Sequence, residues 1–226
     1  AVGGIQMGKG DNETIGDETT IREIRRARND ENVKAVVLRV NSGGGSALAS
    51  DNIYNELKLT AKKKPVIASM DDVAASGGYY ISAGCDKIYA EKTTITGSIG
   101  VIGILLNMKQ FLNKELNVQT ETVYSYDTKY ADLANPTRKM REDEKEKIQR
   151  GVEAVYDDFL SVVNESRKAY DTNEEVDEVA QGRVWTGKAA KQRKLIDAFG
   201  GLEDAIAEAA KRPASAKSTA SWPTRK

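Results

Sequence analysis

Apolar residues fall along this chain in blocks whose period switches from one block to the next. Lys34-Ala-Val-Val-Leu-Arg-Val40 is a nearly continuous apolar run, the pattern of a parallel strand covered on both faces. It ends in Asn41-Ser42-Gly43-Gly44-Gly45-Ser46. Ala49, Ile53, Leu57 and Ala61 then recur at i+4 and predict a helix to about Lys63. Lys62, Lys63 and Lys64 suit its negative end, and Pro65 stops it. The unit repeats. Val66 to Met70 reads as a short strand and Asp71 to Ala75 as a turn. Ser76-Gly77-Gly78-Tyr79-Tyr80-Ile81 reads as the start of a second helix, and Lys87 to Glu91 as a third strand. Upstream, Ala1 to Asp17 is Gly-rich and polar, an edge strand plus a loop. Thr20-Ile-Arg-Glu23 has the spacing of a capping box, and the helix after it, with Ile21, Ile24 and Ala27 on one face, runs to about Arg28.

Further on, Thr94 to Leu106 is apolar and Gly-punctuated, a buried strand or loop. Met108 to Leu116 predicts a short helix with Met108, Phe111 and Leu112 inward, and Val118 to Tyr124 favours strand. Arg141 to Ala169 reads as one long charged helix with an apolar stripe of Ile148, Val152, Val155, Phe159 and Val162 or Val163. Thr172 to Glu175 is a second capping box. Arg183-Val-Trp185 is a short strand, Thr186 caps a helix through Lys194, and Leu202 to Lys211 is a last helix. Strands alternating with helices argue for an α/β fold with a mostly parallel sheet. Residues 212–226, rich in Ala, Ser, Thr and Pro, read as a flexible tail after a domain spanning 1–211.

Composition narrows the chemistry. The 226 residues carry 34 Lys plus Arg and 34 Asp plus Glu, so no global charge pulls the chain towards nucleic acid. The single cysteine, Cys85, allows no intrachain disulfide. With no histidine in the chain, a Ser-His-Asp triad, a Cys-His dyad and a His-containing zinc site are excluded. A general base must then be Lys, Asp, Glu, Tyr or a terminal amine. No carboxylate cluster has metal-ligand spacing, and no metal or cofactor is expected. The chain opens at Ala1 rather than Met and reads as a mature form or a fragment, with any membrane anchor upstream.

Both glycine clusters follow a strand and precede a helix, where open α/β sheets place their chemistry. Gly43-Gly44-Gly45 fits neither G-x-G-x-x-G nor a phosphate-binding loop with Gly-Lys-Ser/Thr. It is either an oxyanion hole of bare backbone N–H groups or a tight turn. Ser76 is either a helix N-cap or a nucleophile. Its small neighbours, Ala75, Gly77 and Gly78, leave room for an attacked carbonyl, and the Gly77 N–H would face the developing oxyanion. The arrangement is akin to a nucleophile elbow, without the G-x-S-x-G flanks.

These residues carry a family resemblance. Val37-Leu-Arg-Val-Asn-Ser-Gly-Gly-Gly-Ser46, Ser69-Met70, Ala74-Ala-Ser-Gly-Gly-Tyr-Tyr-Ile-Ser82 and Ile95-Thr-Gly-Ser-Ile-Gly100 resemble the signal peptide peptidase A (protease IV) family. Gln181-Gly-Arg-Val-Trp-Thr-Gly187 and Leu195-Ile-Asp197 are similar to its C-terminal region. The resemblance implies a Clp protease/crotonase-like fold of repeated ββα units, with a mostly parallel sheet and helical C-terminal additions. It implies a Ser–Lys dyad cleaving hydrophobic peptides, notably cleaved signal peptides. It implies a homo-oligomer with active sites at subunit contacts, associated with a membrane, at an extracytoplasmic face or in an organelle, through a segment absent here. By this resemblance Ser76 is the nucleophile, Lys129 the general base, Ser98 the serine that hydrogen-bonds the lysine, and Gly44 and Gly77 the oxyanion donors. Burial would lower the lysine's pKa far enough for it to act as a base.

The chain departs from the family in having Gly43 where a Pro is usual. The family also has half-length and double-length forms, so the working lysine lies on the same chain, a neighbouring copy or a missing half. Two other functions compete. A crotonase-like acyl-CoA enzyme is disfavoured by Ser76 where that chemistry needs a carboxylate, and a non-catalytic assembly half is disfavoured by the intact Ser76.

Overall fold

The computed structural model describes residues 1–124 and 130–212. Lys129, its neighbours 125–128, and the expected tail beyond Arg212 lie outside the described residues. Two compact units are distinguished: Ala1–Gly100 with the chain from Asp158 onward, and Val101–Asp157.

The first unit opens with β1 (Gly4–Gln6) and β2 (Thr14–Gly16), a short parallel pair. Helix α1 (Asp17–Asn29) follows at once. The expected capping box at Thr20 is wrong: Thr20 lies inside the helix, which starts three residues earlier. The cause is Asp17, whose carboxylate accepts the Gly8 N–H at 2.6 Å and the Asn52 amide at 2.8 Å. These bonds tie the opening loop and the next helix to the first turn of α1. Strand β3 (Val36–Ser42) leads through the glycine loop into α2 (Ala47–Ala61). Ser46 caps α2 by accepting the Ala49 N–H. Ala49, Ile53 and Leu57 are fully buried, as the i+4 spacing requires.

Strand β4 (Val66–Ala75) is the spine of the sheet. It pairs in parallel with β3 along one edge. Its other edge is shared: residues 67–69 pair with β5 (Lys87–Ala90), and residues 73–75 with β6 (Ile95–Gly97), both parallel. The seven-residue helix α3 (Gly77–Ala83) lies between β4 and β5 in sequence. The expected turn at Asp71 to Ala75 is therefore strand. Asp disfavours strands, but Asp71 pairs with Arg39 on β3 at 2.5 Å, a diagonal cross-strand ion pair that offsets the preference. Residues 66–70 are all buried in succession, so both faces of the sheet are covered.

In the second unit a non-regular run leads to α4 (Lys109–Lys114), and α5 (Glu142–Ser166) continues back into the first unit. Three expectations fail here. The apolar run after β6 is not buried: Ile102, Ile104 and Leu106 are 89%, 83% and 70% exposed. Met108 and Phe111 are exposed rather than inward, and Val118–Tyr124 forms no strand. The apolar stripe of α5 also divides. Phe159, Val162 and Val163 are buried, whereas Val155 is exposed. An apolar pattern says that a surface seeks cover, not which surface covers it.

The chain closes with α6 (Asn173–Asp177), β7 (Val184–Thr186), α7 (Gly187–Gln192), β8 (Ala198–Phe199) and α8 (Leu202–Lys211). Thr172 and Thr186 cap their helices as expected, accepting the Glu175 and Ala189 N–H groups. β7 pairs antiparallel with β6, and β8 parallel with β5. Helix α8 packs Ala205 and Ala209 onto Ile67 and Tyr89. The result is the α/β fold with a mostly parallel sheet that the pattern of elements anticipates.

Candidate active site

The site is built where β4 and β6 end side by side. Ala75 is in register with Gly97, so Ser76 and Ser98 each stand one residue past the last paired position of neighbouring parallel strands. Both carry left-handed φ, 52° at Ser76 and 47° at Ser98. Non-glycine residues adopt such φ values uncommonly, and a strained conformation costs roughly 1–3 kcal/mol when its surroundings enforce it. Here they do. The Ser76 N–H donates to the Gly97 carbonyl at 2.9 Å, and the Tyr80 N–H donates to the Ser76 carbonyl at 2.9 Å. The Ser98 N–H donates to the Arg183 carbonyl at 2.8 Å, which ties the β6 end to the start of β7.

This geometry speaks against the helix-cap reading of Ser76. The residue is the N-cap of α3, yet its side chain makes no capping hydrogen bond. Its backbone (φ 52°, ψ −121°) is not the extended conformation that caps adopt. Sharp strand-to-helix turns of this kind carry the hydroxyl of a nucleophile elbow. Ser76 is half-buried.

The glycine loop lies against this turn. Gly44 has φ +99°, and a β-carbon there would stand 2.6 Å from the Gly77 nitrogen and 3.0 Å from the Ser76 Oγ. Only a bare α-carbon fits. The loop is anchored from outside: the Ile5 N–H donates to the Gly44 carbonyl at 2.9 Å, and the Ser46 N–H to the Ile5 carbonyl at 2.8 Å. As the first residue of α3, Gly77 has an N–H with no intrahelical acceptor. The Gly44 N–H is differently placed, donating to the buried Ser42 Oγ at 3.1 Å. On the far side, a β-carbon at Gly78 would lie 2.5 Å from the Ser42 carbonyl, so α3 sits directly on the end of β3.

Of the five sequence-derived site residues, Ser76, Ser98, Gly44 and Gly77 thus converge at one end of the sheet. Lys129 lies outside the described residues. Sequence reasoning missed Ser42 and the Gly97 and Arg183 carbonyls that hold the two serines. The readable signal for Ser42 was its place two residues before Gly44, since Ser side chains bond backbone N–H groups two residues on. Among the described residues no His, Cys, Asp or Glu cluster could hold a metal ion.

The description "Peptidase family S49" matches residues 58–216, more than half of the chain. The chain belongs to peptidase family S49. Its fold is the Clp protease/crotonase-like one that the sequence motifs imply. It is 42% identical over 212 residues to Serine protease SPPA, chloroplastic, of Arabidopsis thaliana, covering 92% of this chain and 31% of that protein. It is 40% identical over 211 residues to Protease 4 of Salmonella typhi, covering 93% and 33%. An Enterococcus faecium protein whose description includes the words signal peptide peptidase SppA is 41% identical over 187 residues, covering 82% and 53%. The chain spans about a third of the length of the first two relatives and about half of the third. No helix among the described residues is long and apolar enough to cross a membrane.

Proposed function

We propose that this chain carries the nucleophile of a serine endopeptidase that hydrolyses hydrophobic peptides such as cleaved signal peptides. The observation that carries the reading is the strained Ser76 turn packed against the bare face of Gly44. The Ser76 hydroxyl attacks the scissile carbonyl, and the Gly77 N–H donates to the oxyanion. The Gly44 N–H joins it by sharing or leaving its bond to Ser42. Lys129 takes the hydroxyl proton and returns it to the leaving amine, and Ser98, at the neighbouring strand end, orients the lysine. The absence of histidine supports a lysine base. The substrate class rests on the signal peptide peptidase name of the Enterococcus relative.

The catalytic domain is residues 1–211, and the working protein is a homo-oligomer with its sites at subunit contacts. The exposed run Ile102 to Leu106 supports this, because contiguous exposed apolar surface marks interaction sites. Membrane association comes from a segment outside this sequence.

Hydrolysis of an apolar peptide by the assembled full-length protein is the test. Ser76→Ala and Lys129→Ala each abolish it. Mixing the two inactive variants restores part of the activity if the lysine comes from another copy and none if it comes from the same chain. Full activity in Ser76→Ala sinks the reading.

A further inference from the structure

Ser76 is held on the sheet side by the Gly97 carbonyl, but a helix fixed at one end can still tilt or slide. The first turn of α3 has a second anchor, away from the sheet, which none of the proposed chemistry uses. Tyr79 lies three residues after Ser76, almost one turn further along α3. It is the largest fully buried side chain described (0% exposed), and its hydroxyl donates to the Leu195 carbonyl at 2.8 Å. Burying a hydroxyl is costly unless it is bonded, and deleting it costs some stability because the Leu195 carbonyl loses its donor. A phenylalanine would fill this space equally well. What the hydroxyl adds is direction: it fixes where α3 sits relative to the segment between α7 and β8.

That segment is itself pinned. Two residues on, Asp197 Oδ2 accepts the Ile88 N–H of β5 at 2.7 Å and the guanidinium of Arg167 at 2.8 Å. Arg167 is buried just beyond the end of α5, and its Nε has no partner among the described residues. The Tyr170 hydroxyl donates to the Arg193 carbonyl in the same segment. A chain of polar contacts, from the buried Tyr79 hydroxyl to the partly exposed Asp197 carboxylate, therefore runs from the nucleophile helix through residues 193–197 to β5 and the end of α5.

We propose that Tyr79 is a positioning residue for Ser76, with Asp197 and Arg167 bracing the segment that Tyr79 grips. The inference rests on the reading of Ser76 as nucleophile. A displacement of α3 carries the Ser76 Oγ and the Gly77 N–H together, away from the reacting carbonyl, and a misplacement near 1 Å can cost about 100-fold in rate.

The experiment measures the rate at which a fluorophosphonate probe acylates the assembled full-length protein, together with kcat and KM on an apolar peptide. Tyr79→Phe removes one oxygen and keeps the ring. It is expected to slow acylation and kcat by about tenfold while KM stays within about twofold. Ile196→Val, in the same buried segment, removes a methylene and no polar contact. It is expected to keep the wild-type rates despite a comparable drop in melting temperature. Should Tyr79→Phe fail to fold, Asp197→Asn carries the test, with a smaller loss of the same kind. Wild-type acylation by Tyr79→Phe overturns the proposal, as does an equal slowing in Ile196→Val. Ser76→Ala separates the two claims: its silence towards the probe upholds the nucleophile whatever Tyr79→Phe does, and its labelling overturns the nucleophile itself.

Discussion

In the unit that carries Ser76, apolar side chains turn inward and polar groups do the aiming. Residues 66–70 are buried without a break, and the two strained serines are held by backbone carbonyls at fixed strand ends. In the unit 101–157 the balance is reversed. Ile102, Ile104 and Val123 (88% exposed) stand open, while a charged cluster ties the chain together. Arg138 grips Asp132 with two bonds of 2.5 and 2.7 Å and also pairs with Glu144, which accepts the Arg141 N–H at 2.8 Å as well. Lys147 lies 4.7 Å from the Tyr130 ring centroid. A strained active-site turn needs a dry, close-packed frame to enforce it. A surface that binds other copies needs apolar groups left uncovered in the single chain. Under the proposed reading, the two units divide these opposite demands within one chain.

The largest effect should come from the first unit. Gly44→Ala forces a β-carbon against the Gly77 nitrogen and the Ser76 hydroxyl. Hydrolysis should fall about 100- to 1,000-fold, the cost of losing an oxyanion donor, with the circular dichroism of the fold preserved. Near-normal hydrolysis would mean that the loop does not face the reaction. Next comes Ile104→Glu in the second unit. A charge on a surface covered by another copy should weaken association by about 2 kcal/mol, roughly thirtyfold in the dissociation constant. Sedimentation velocity reads this directly, and an unchanged oligomer would remove the apolar run from the interface. The same charge placed on the exposed face of α1, at Arg22→Glu, should leave association as it was.

The smallest effect is on acid stability. The hydrogen bonds from Arg138 hold the carboxyl groups of Asp132 and Glu144 below their ordinary values. Groups lowered in this way stabilise the fold above the unfolded carboxylate pKa, near 4, and lose that contribution as pH falls through their folded values. Hydrogen exchange of residues 130–150 should therefore rise below about pH 4, before that of β4. Simultaneous loss in both units would deny the charged cluster its role.

The elements of the first unit were legible because local signals and tertiary demands agree there. The i+4 spacing of Ala49, Ile53 and Leu57 gave a helix, and Leu202–Lys211 falls where expected. Ser76 was legible from its small neighbours. Its strain was not, since φ at a single residue is set by the β4–β6 register and leaves no mark in composition. Strand β4 was cut short at Asp71 because the compensating Arg39 lies 32 positions earlier in the sequence, on another strand. The turn between Ser42 and Gly44 was hidden by the glycines around it. The run to Leu106 and the residues Met108 and Phe111 read as buried yet stand exposed, because hydrophobicity alone does not say whether a surface is covered.

The central claim is that Ser76 is the nucleophile, and its most direct test is to map the covalent adduct. The assembled full-length protein is treated with a fluorophosphonate, digested and examined by mass spectrometry. The account requires one adduct per active site, on the peptide containing Ser76, lost together with hydrolysis in Ser76→Ala. An adduct on another residue, with hydrolysis persisting in Ser76→Ala, would contradict it.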